Sequence, residues 1–100
     1  MEVRDFFWDL YEFAPVGYLT LNSQGFVQEI NLTACRMLGI DKASMINKPL
    51  SKLFYSEDLR IFHQKFPQVF LSDDRLSCEM RFKKPDGEIM FALLECNSVV

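Results

Sequence analysis

Apolar residues recur at two different periods along this chain, and the changes of period mark its elements. Over residues 1–13, Phe6, Leu10 and Phe13 fall at helical spacing, Phe7 and Trp8 widen that surface, and Glu2, Arg4, Asp5, Asp9 and Glu12 supply charge. That pattern predicts a short amphipathic helix. Pro15 disfavours a helical Ala14, so the helix is expected to stop near Phe13. Residues 16–21 form a β-prone run, Asn22-Ser23-Gln24-Gly25 a four-residue turn in which Gly25 takes a positive φ, and residues 26–30 the return strand.

Asn31 follows that strand and precedes Leu32, Ala34, Cys35 and Leu38, an apolar face that ends at Gly39. Asn31 is therefore the natural N-cap and Gly39 the natural stop. From 40 to 54 the pattern breaks into short pieces, with Asp41 and Ser44 as caps and Lys48-Pro49 opening a turn. Ser56-Glu57-Asp58 is expected to cap the longest helix of the chain, with Leu59, Phe62, Phe66, Val69 and Phe70 on one side. Pro67 has no N–H to offer the His63 carbonyl, so regular helix is expected to weaken there.

After Ser72-Asp73-Asp74 the period changes to two: Cys78, Met80 and Phe82 alternate with Glu79, Arg81 and Lys83, a half-buried strand over 76–83. Lys84-Pro85-Asp86-Gly87 is a turn with proline in its favoured second position, and 88–98 is the partner strand. Pairing Lys83 with Glu88 sets Cys78 opposite Leu93 and Met80 opposite Phe91. Ile89, Phe91 and Leu93 then face the core, and Met90, Ala92, Leu94 and Cys96 face outward. So apolar an outer row needs a cover, either the N-terminal helix or a second copy of the chain.

A length of 100 residues, 49% hydrophobic, fits one small domain with a single core. The net charge of -3 offers no basic stripe for nucleic acid, and no apolar run approaches the roughly 20 residues of a membrane span. Neither a nucleic-acid nor a membrane partner is expected. Residues near Met1 lack the layout of a signal peptide, and the 3 cysteines cannot all pair within one chain. A reducing cytoplasm is the expected location.

The segment from Tyr11 to Asn31, with Ala14-Pro15-Val16-Gly17-Tyr18 opening its first strand, resembles the start of a PAS sensory domain. Leu76-Ser77-Cys78-Glu79-Met80-Arg81-Phe82-Lys83-Lys84-Pro85-Asp86-Gly87 is similar to the family's C-E-L-R-x-x-x-x-D-G hairpin, as seen in bacterial sensor histidine kinases. The resemblance covers nearly the whole chain. It implies an α+β fold, an antiparallel sheet with short helices packed on one face, in a single domain of an N-terminal helix (1–13) and a PAS core (14–100). The family's sheet has five strands with the last in the middle, and this chain stops at Val100 before it. The expectation is a domain cut from a longer signalling chain. Its first and last strands then close on each other or borrow a segment from a partner.

Candidate chemistry is sparse. His63, the 1 histidine, falls on the helix that carries the haem ligand in haem-binding relatives, which would make an oxygen or redox sensor. It reads more simply as a surface or half-buried residue, and Pro67 bends the helix that would aim it. Cys35-Arg36-Met37-Leu38 resembles the reactive-cysteine motif of flavin photoreceptors in the same superfamily, but at the wrong position, so Cys35 reads as a small buried residue. Cys78 and Cys96 are not opposite each other, and read as structural. A single histidine leaves triads and His-rich metal sites without parts, so no catalytic residue, no metal site and no enzyme activity are expected. The 10 Phe read first as core packing. A ligand cavity, placed where the family has its pocket, would be lined by Leu38, Phe54, Phe62, His63, Phe66 and Met80. No cofactor is expected, with haem on His63 as the alternative.

The resemblance implies a regulatory input and dimerisation module attached to a kinase output domain, the parent being a bacterial or archaeal sensor histidine kinase of a two-component phosphorelay. The homodimer would form through the N-terminal helix and an outer sheet face of Met90, Ala92 and Leu94. A ligand-free dimerisation module is a second reading, haem-based sensing a third, and a diguanylate cyclase or transcription regulator is an alternative output.

Overall fold

The computed structural model describes residues 3–71 and 76–96. These fall into two compact units, 1–49 and 50–100. In the first unit, α1 (Val3–Glu12) runs to a last turn in which the Phe13 N–H donates to the Asp9 carbonyl, just before Pro15. Strands β1 (Leu19–Leu21) and β2 (Val27–Ile30) pair antiparallel, Leu19 opposite Ile30 and Leu21 opposite Val27, with a bulge between Thr20 and Leu21. Both strands are shorter than the sequence predicts, and Phe26 instead bridges to Pro49.

The turn between β1 and β2 forms where expected. Gly25 sits at φ 85°, its N–H donates to the Asn22 carbonyl, and the Asn22 Oδ1 accepts from the N–H groups of Gln24 and Phe26 at 2.9 and 3.0 Å. On its other side β2 is held by residues 47–48. The Asn47 N–H donates to the Val27 carbonyl and the Val27 N–H to the Lys48 carbonyl, with Asn47 in the left-handed region at φ 64°. Helix α2 (Leu32–Leu38) begins at Asn31, whose Oδ1 accepts from the Ala34 N–H, and stops at Gly39 with φ 68°. Asp41 precedes α3 (Lys42–Met45) without a side-chain cap. Val27, Ile30, Asn31, Ala34, Cys35, Leu38 and Met45 are buried in this unit.

The second unit opens with two 3-10 turns, Leu50–Leu53 and Ser56–Asp58. The segment expected to be the longest helix is two short ones, α4 (Leu59–Lys65) and α5 (Gln68–Leu71). The longest described helix is α1, with 10 residues. Pro67 is the cause: α4 closes with the Phe66 N–H on the Phe62 carbonyl, and a proline next in line cannot extend the ladder. Ser56-Glu57-Asp58 does not cap α4 as expected either, because Asp58 makes no side-chain cap and its carboxylate is bonded elsewhere. Leu59 is half-buried and Phe62, Phe66 and Val69 are buried, as their spacing predicts.

Strand β3 (Leu76–Lys83) pairs antiparallel with β4 (Ile89–Cys96). The register differs from the expected one by a residue: Lys83 faces Ile89, Met80 faces Ala92 and Cys78 faces Leu94. The turn explains the slip. The Lys84 N–H donates to the Glu88 carbonyl and the Gly87 N–H to the Lys84 carbonyl, with Gly87 at φ 91°. The loop is therefore the three residues Pro85-Asp86-Gly87 closed by a left-handed glycine, and Lys84 joins the ladder. One residue of slip exchanges the faces. Met90, Ala92 and Leu94, expected outside, are half-buried beside Met80 and Phe82, while Phe91 (79% exposed) and Leu93 (60%) occupy the outer face.

β3 is flanked on its other side by a bridge between Phe82 and Phe54 and by the Tyr55 N–H on the Arg81 carbonyl. Among the described residues β1 with β2, and β3 with β4, each form a two-stranded sheet. The link at 72–74, the strand end at 97–98 and the side chain of Phe70 lie outside the described residues.

Asn31 is fully buried, and its side chain makes four hydrogen bonds, accepting from Tyr18 and Ala34 and donating to the carbonyls of Tyr11 and Val16. Asn31→Ala is expected to destabilise the chain by about 2–4 kcal/mol, because two buried N–H groups and two carbonyls lose their partner. Urea unfolding followed by circular dichroism measures it, and a loss under about 0.5 kcal/mol would show that water replaces the amide.

Candidate functional site

Asn31 gathers the end of α1, the 13–18 loop that leads into β1, and the start of α2. Its Nδ2 donates to Tyr11 O at 2.8 Å and to Val16 O at 3.0 Å, and its Oδ1 accepts from Tyr18 N and Ala34 N, each at 2.9 Å. Thr33 adds a hydroxyl bond to the Ala14 carbonyl. Gly17 allows the loop to lie against α2, since a Cβ there would meet Ala34 Cβ at 3.0 Å. Two further contacts fix the end of α1: Lys42 Nζ bonds both oxygens of Glu12 at 2.9 and 3.0 Å, and the Arg36 guanidinium lies 5.9 Å from the centre of the Phe13 ring.

Tyr11 stacks on Tyr18, with ring centres 6.2 Å apart, and meets Trp8 edge-on. Its hydroxyl is buried with no hydrogen-bond partner among the described residues. Burial first, then the negative charges of Glu29 and Glu12 and the nearby Cys35, push this phenol above its ordinary range. The other side of α1 is open, with Phe6, Phe7, Trp8, Leu10 and Phe13 all exposed. They are joined in this unit by exposed Val16 and Tyr18.

The second unit is organised around aromatic rings and one ion pair. Phe54 packs on Phe62 and Phe82 at centre distances of 4.7 and 4.9 Å, and Phe62 stacks on Phe66 at 5.0 Å. Asp58 receives the Arg81 backbone N–H at 2.8 Å, Nε at 3.1 Å and Nη2 at 2.7 Å. The guanidinium also lies 4.4 Å from the centre of the Tyr55 ring, with Glu57 further off at 3.7 Å. The side-chain hydrogen bonds from Arg81, then its backbone N–H, hold the Asp58 carboxyl below its usual range. Nothing in the sequence pattern links these two residues, which lie 23 positions apart on a turn and on the polar face of a strand.

Of the residues predicted to line a cavity, Phe54, Phe62, Phe66 and Met80 are buried in the second unit and Leu38 is buried in the first. The structure brings Phe54, Phe62 and Phe66 into ring contact. His63 is not with them: it is exposed, and its ring meets only the edge of Phe62, 6.0 Å away. Phe62 and Phe66 are four residues apart on one helix face, and His63 is turned about 100° from Phe62. That geometry does not fit an axial ligand to a haem held among the buried rings. Among the described residues no three His, Cys, Asp or Glu side chains group as a metal site, and no helix is long and apolar enough to cross a membrane.

The outer face of β4 carries Phe91 and Leu93, with a shallow depression bordered by Glu79, Phe91, Ala92 and Leu93. This second exposed apolar surface was read from the sequence onto the wrong residues, for the reason of register given above.

A family model described as the PAS fold matches residues 6–100 of the chain. No curated protein matches it. Among solved structures it is similar to the PAS domain of an HTR-like protein from Haloarcula marismortui, at 21% identity and a TM-score of 0.80, covering 92% of this chain and 75% of that one. It is also similar to a domain of a sensory box sensor histidine kinase/response regulator from Geobacter sulfurreducens, at 14% identity and a TM-score of 0.80, covering 96% and 83%. A third likeness is to the PAS domain, in complex with ethanol, of a LuxR-family transcriptional regulator from Burkholderia thailandensis, at 14% identity and a TM-score of 0.73, covering 95% and 80%.

The Asp58 bonds predict an acid limb in the stability curve. With a folded value below its ordinary 3.8, Asp58 contributes stability that is complete above that ordinary value and is lost as pH falls through the depressed one. Asp58→Asn is expected to lower stability at pH 7 and to flatten the fall that sets in as pH drops below the ordinary 3.8. Urea midpoints across that fall measure it, and parallel acid limbs for the two proteins would refute it.

Proposed function

Because this chain belongs to the PAS family, we propose that it is the regulatory input and dimerisation module of a sensor histidine kinase in a bacterial or archaeal two-component phosphorelay. Such a domain is a sensory part that hands its signal to an attached output domain. The kinase assignment draws support from the histidine-kinase neighbour, although the regulator neighbour shows that the same fold serves other outputs. A transcription regulator or a diguanylate cyclase is the alternative output. The proposed setting is the cytoplasm.

The observation that carries this reading is the pair of exposed apolar surfaces. Phe6, Phe7, Trp8 and Leu10 on α1, and Phe91 and Leu93 on β4, leave large side chains in water that a second copy of the chain would cover. The interface residues on the sheet are then Phe91 and Leu93 in place of Met90, Ala92 and Leu94. The proposed mechanism is a shift of population. A ligand or partner that prefers one packing of α1 over another biases the dimer, and with it the output domain.

The close contact of Phe54, Phe62, Phe66 and Phe82 favours a second reading within the same family, a dimerisation module that takes no small molecule. Of the predicted lining, Phe54, Phe62, Phe66 and Met80, buried within the second unit, remain the proposal for where a ligand would enter if one binds. Haem has the least support, because His63 is exposed.

Sedimentation equilibrium on the whole chain is expected to give a dimer at micromolar concentration. Leu10→Glu or Phe91→Glu should weaken it at least about tenfold, since each buries a charge in an apolar contact. A monomer at about 100 μM, or a dimer indifferent to both changes, would remove the interface from the proposal. Native mass spectrometry of the same sample separates the two readings. A retained small molecule supports a ligand sensor, and a bare dimer supports the ligand-free module.

A further inference from the structure

Cys78 and Cys96 stand on the inward face of the β3–β4 ladder and are both free thiols. Cys78 faces Leu94 and Leu76 faces Cys96, so the two cysteines are diagonal neighbours on adjacent strands. Such a diagonal spans about 7–8 Å between Cα atoms. A disulfide accepts at most about 7 Å, so the ladder holds the sulfurs together without favouring a direct bond between them. Two metal–thiolate bonds of about 2.3 Å each reach further than one S–S bond of about 2.0 Å.

Among the described residues no third His, Cys, Asp or Glu groups with them, so the pair itself offers two-fold thiolate coordination. Soft thiolates select soft ions, copper(I) foremost. We propose that Cys78 and Cys96 form a two-coordinate site for a soft monovalent cation of the copper(I) class. On binding, two S–H bonds break, two metal–sulfur bonds form and two protons leave to solvent. No electron moves, and the site goes from neutral to a single negative charge. Lys65 is the cation placed to offset that charge, since its field already acts on Cys78. Burial holds both thiols protonated in the absence of metal, and each lies in a half-buried position that excludes much competing water. A bound ion would clasp the strands at the end of the ladder away from the Pro85-Asp86-Gly87 turn.

The test is an anaerobic titration of the whole chain with copper(I) against the chromophoric chelator bicinchoninate. One ion per chain is expected. Cys78→Ser and Cys96→Ser should each weaken binding by at least about 100-fold, more than an outer-shell change costs, while Cys35→Ser leaves it unchanged. Far-UV circular dichroism checks that each variant is folded. In the unaltered chain, alkylation mapped by mass spectrometry should show Cys78 and Cys96 protected by the metal and Cys35 not. No binding in competition with the chelator, equal loss with Cys35→Ser, or protection of Cys35 alone would each overturn the site.

Discussion

The first unit depends on the carboxamide of Asn31. Its hydrogen bonds go to the end of α1, to Val16 and Tyr18 of the loop that leads into β1, and to the first turn of α2. A fully buried amide is costly to leave unpaired, so none of these segments can move while the others stay. Gly17 and Thr33 extend the same constraint, the one by letting the loop close on Ala34 and the other by tying Ala14 to α2. Helix α1 is thus held at its C-terminal end by Asn31, Lys42 and Arg36, while its aromatic side chains project from the rest of it.

The second unit has its counterpart in Asp58. Its carboxylate joins the short turn before α4 to the middle of β3, and Arg81 spreads the tie to Tyr55. Coulomb attraction alone would be a weak reason to keep such a pair at a surface. Here the backbone N–H of Arg81 enters as well, so the bond fixes strand position as well as neutralising charge. Both units therefore use one nearly buried polar side chain to fix where a helix starts or ends against a strand.

Features set by a few adjacent residues were legible in the sequence. The Asn22–Gly25 turn, the Asn31 cap, the Gly39 stop and the break at Pro67 each follow from the chemistry of one or two side chains. The register of β3 and β4 was not, because Lys84-Pro85-Asp86-Gly87 closes equally well with Lys84 in the loop or in the ladder. Only the left-handed Gly87 and the Lys84–Glu88 bond decide it. That one residue moved the exposed face from Met90, Ala92 and Leu94 to Phe91 and Leu93. Leu38, Phe62, Phe66 and Met80 are buried as their helical and alternating spacings predict. His63 was grouped with them although its place next to Phe62 turns it to another side. The Asp58–Arg81 pair had no sequence signal, since its two members belong to different elements and neither spacing nor composition joins them.

Phe6, Phe7 and Leu10 on α1 and Phe91 on β4 each leave more than half of their surface in water. An exposed Phe91 on a strand face is not explained by strand propensity, because a β-branched or polar residue would pair as well with Arg81 at less cost in water. The aromatics of α1 are likewise unnecessary for the helix, which propensity and charge alone would favour more. Side chains left so far in water suit the contact with a second copy proposed above. Under the proposed function, that contact is where a change in the packing of α1 would reach the second copy of the chain.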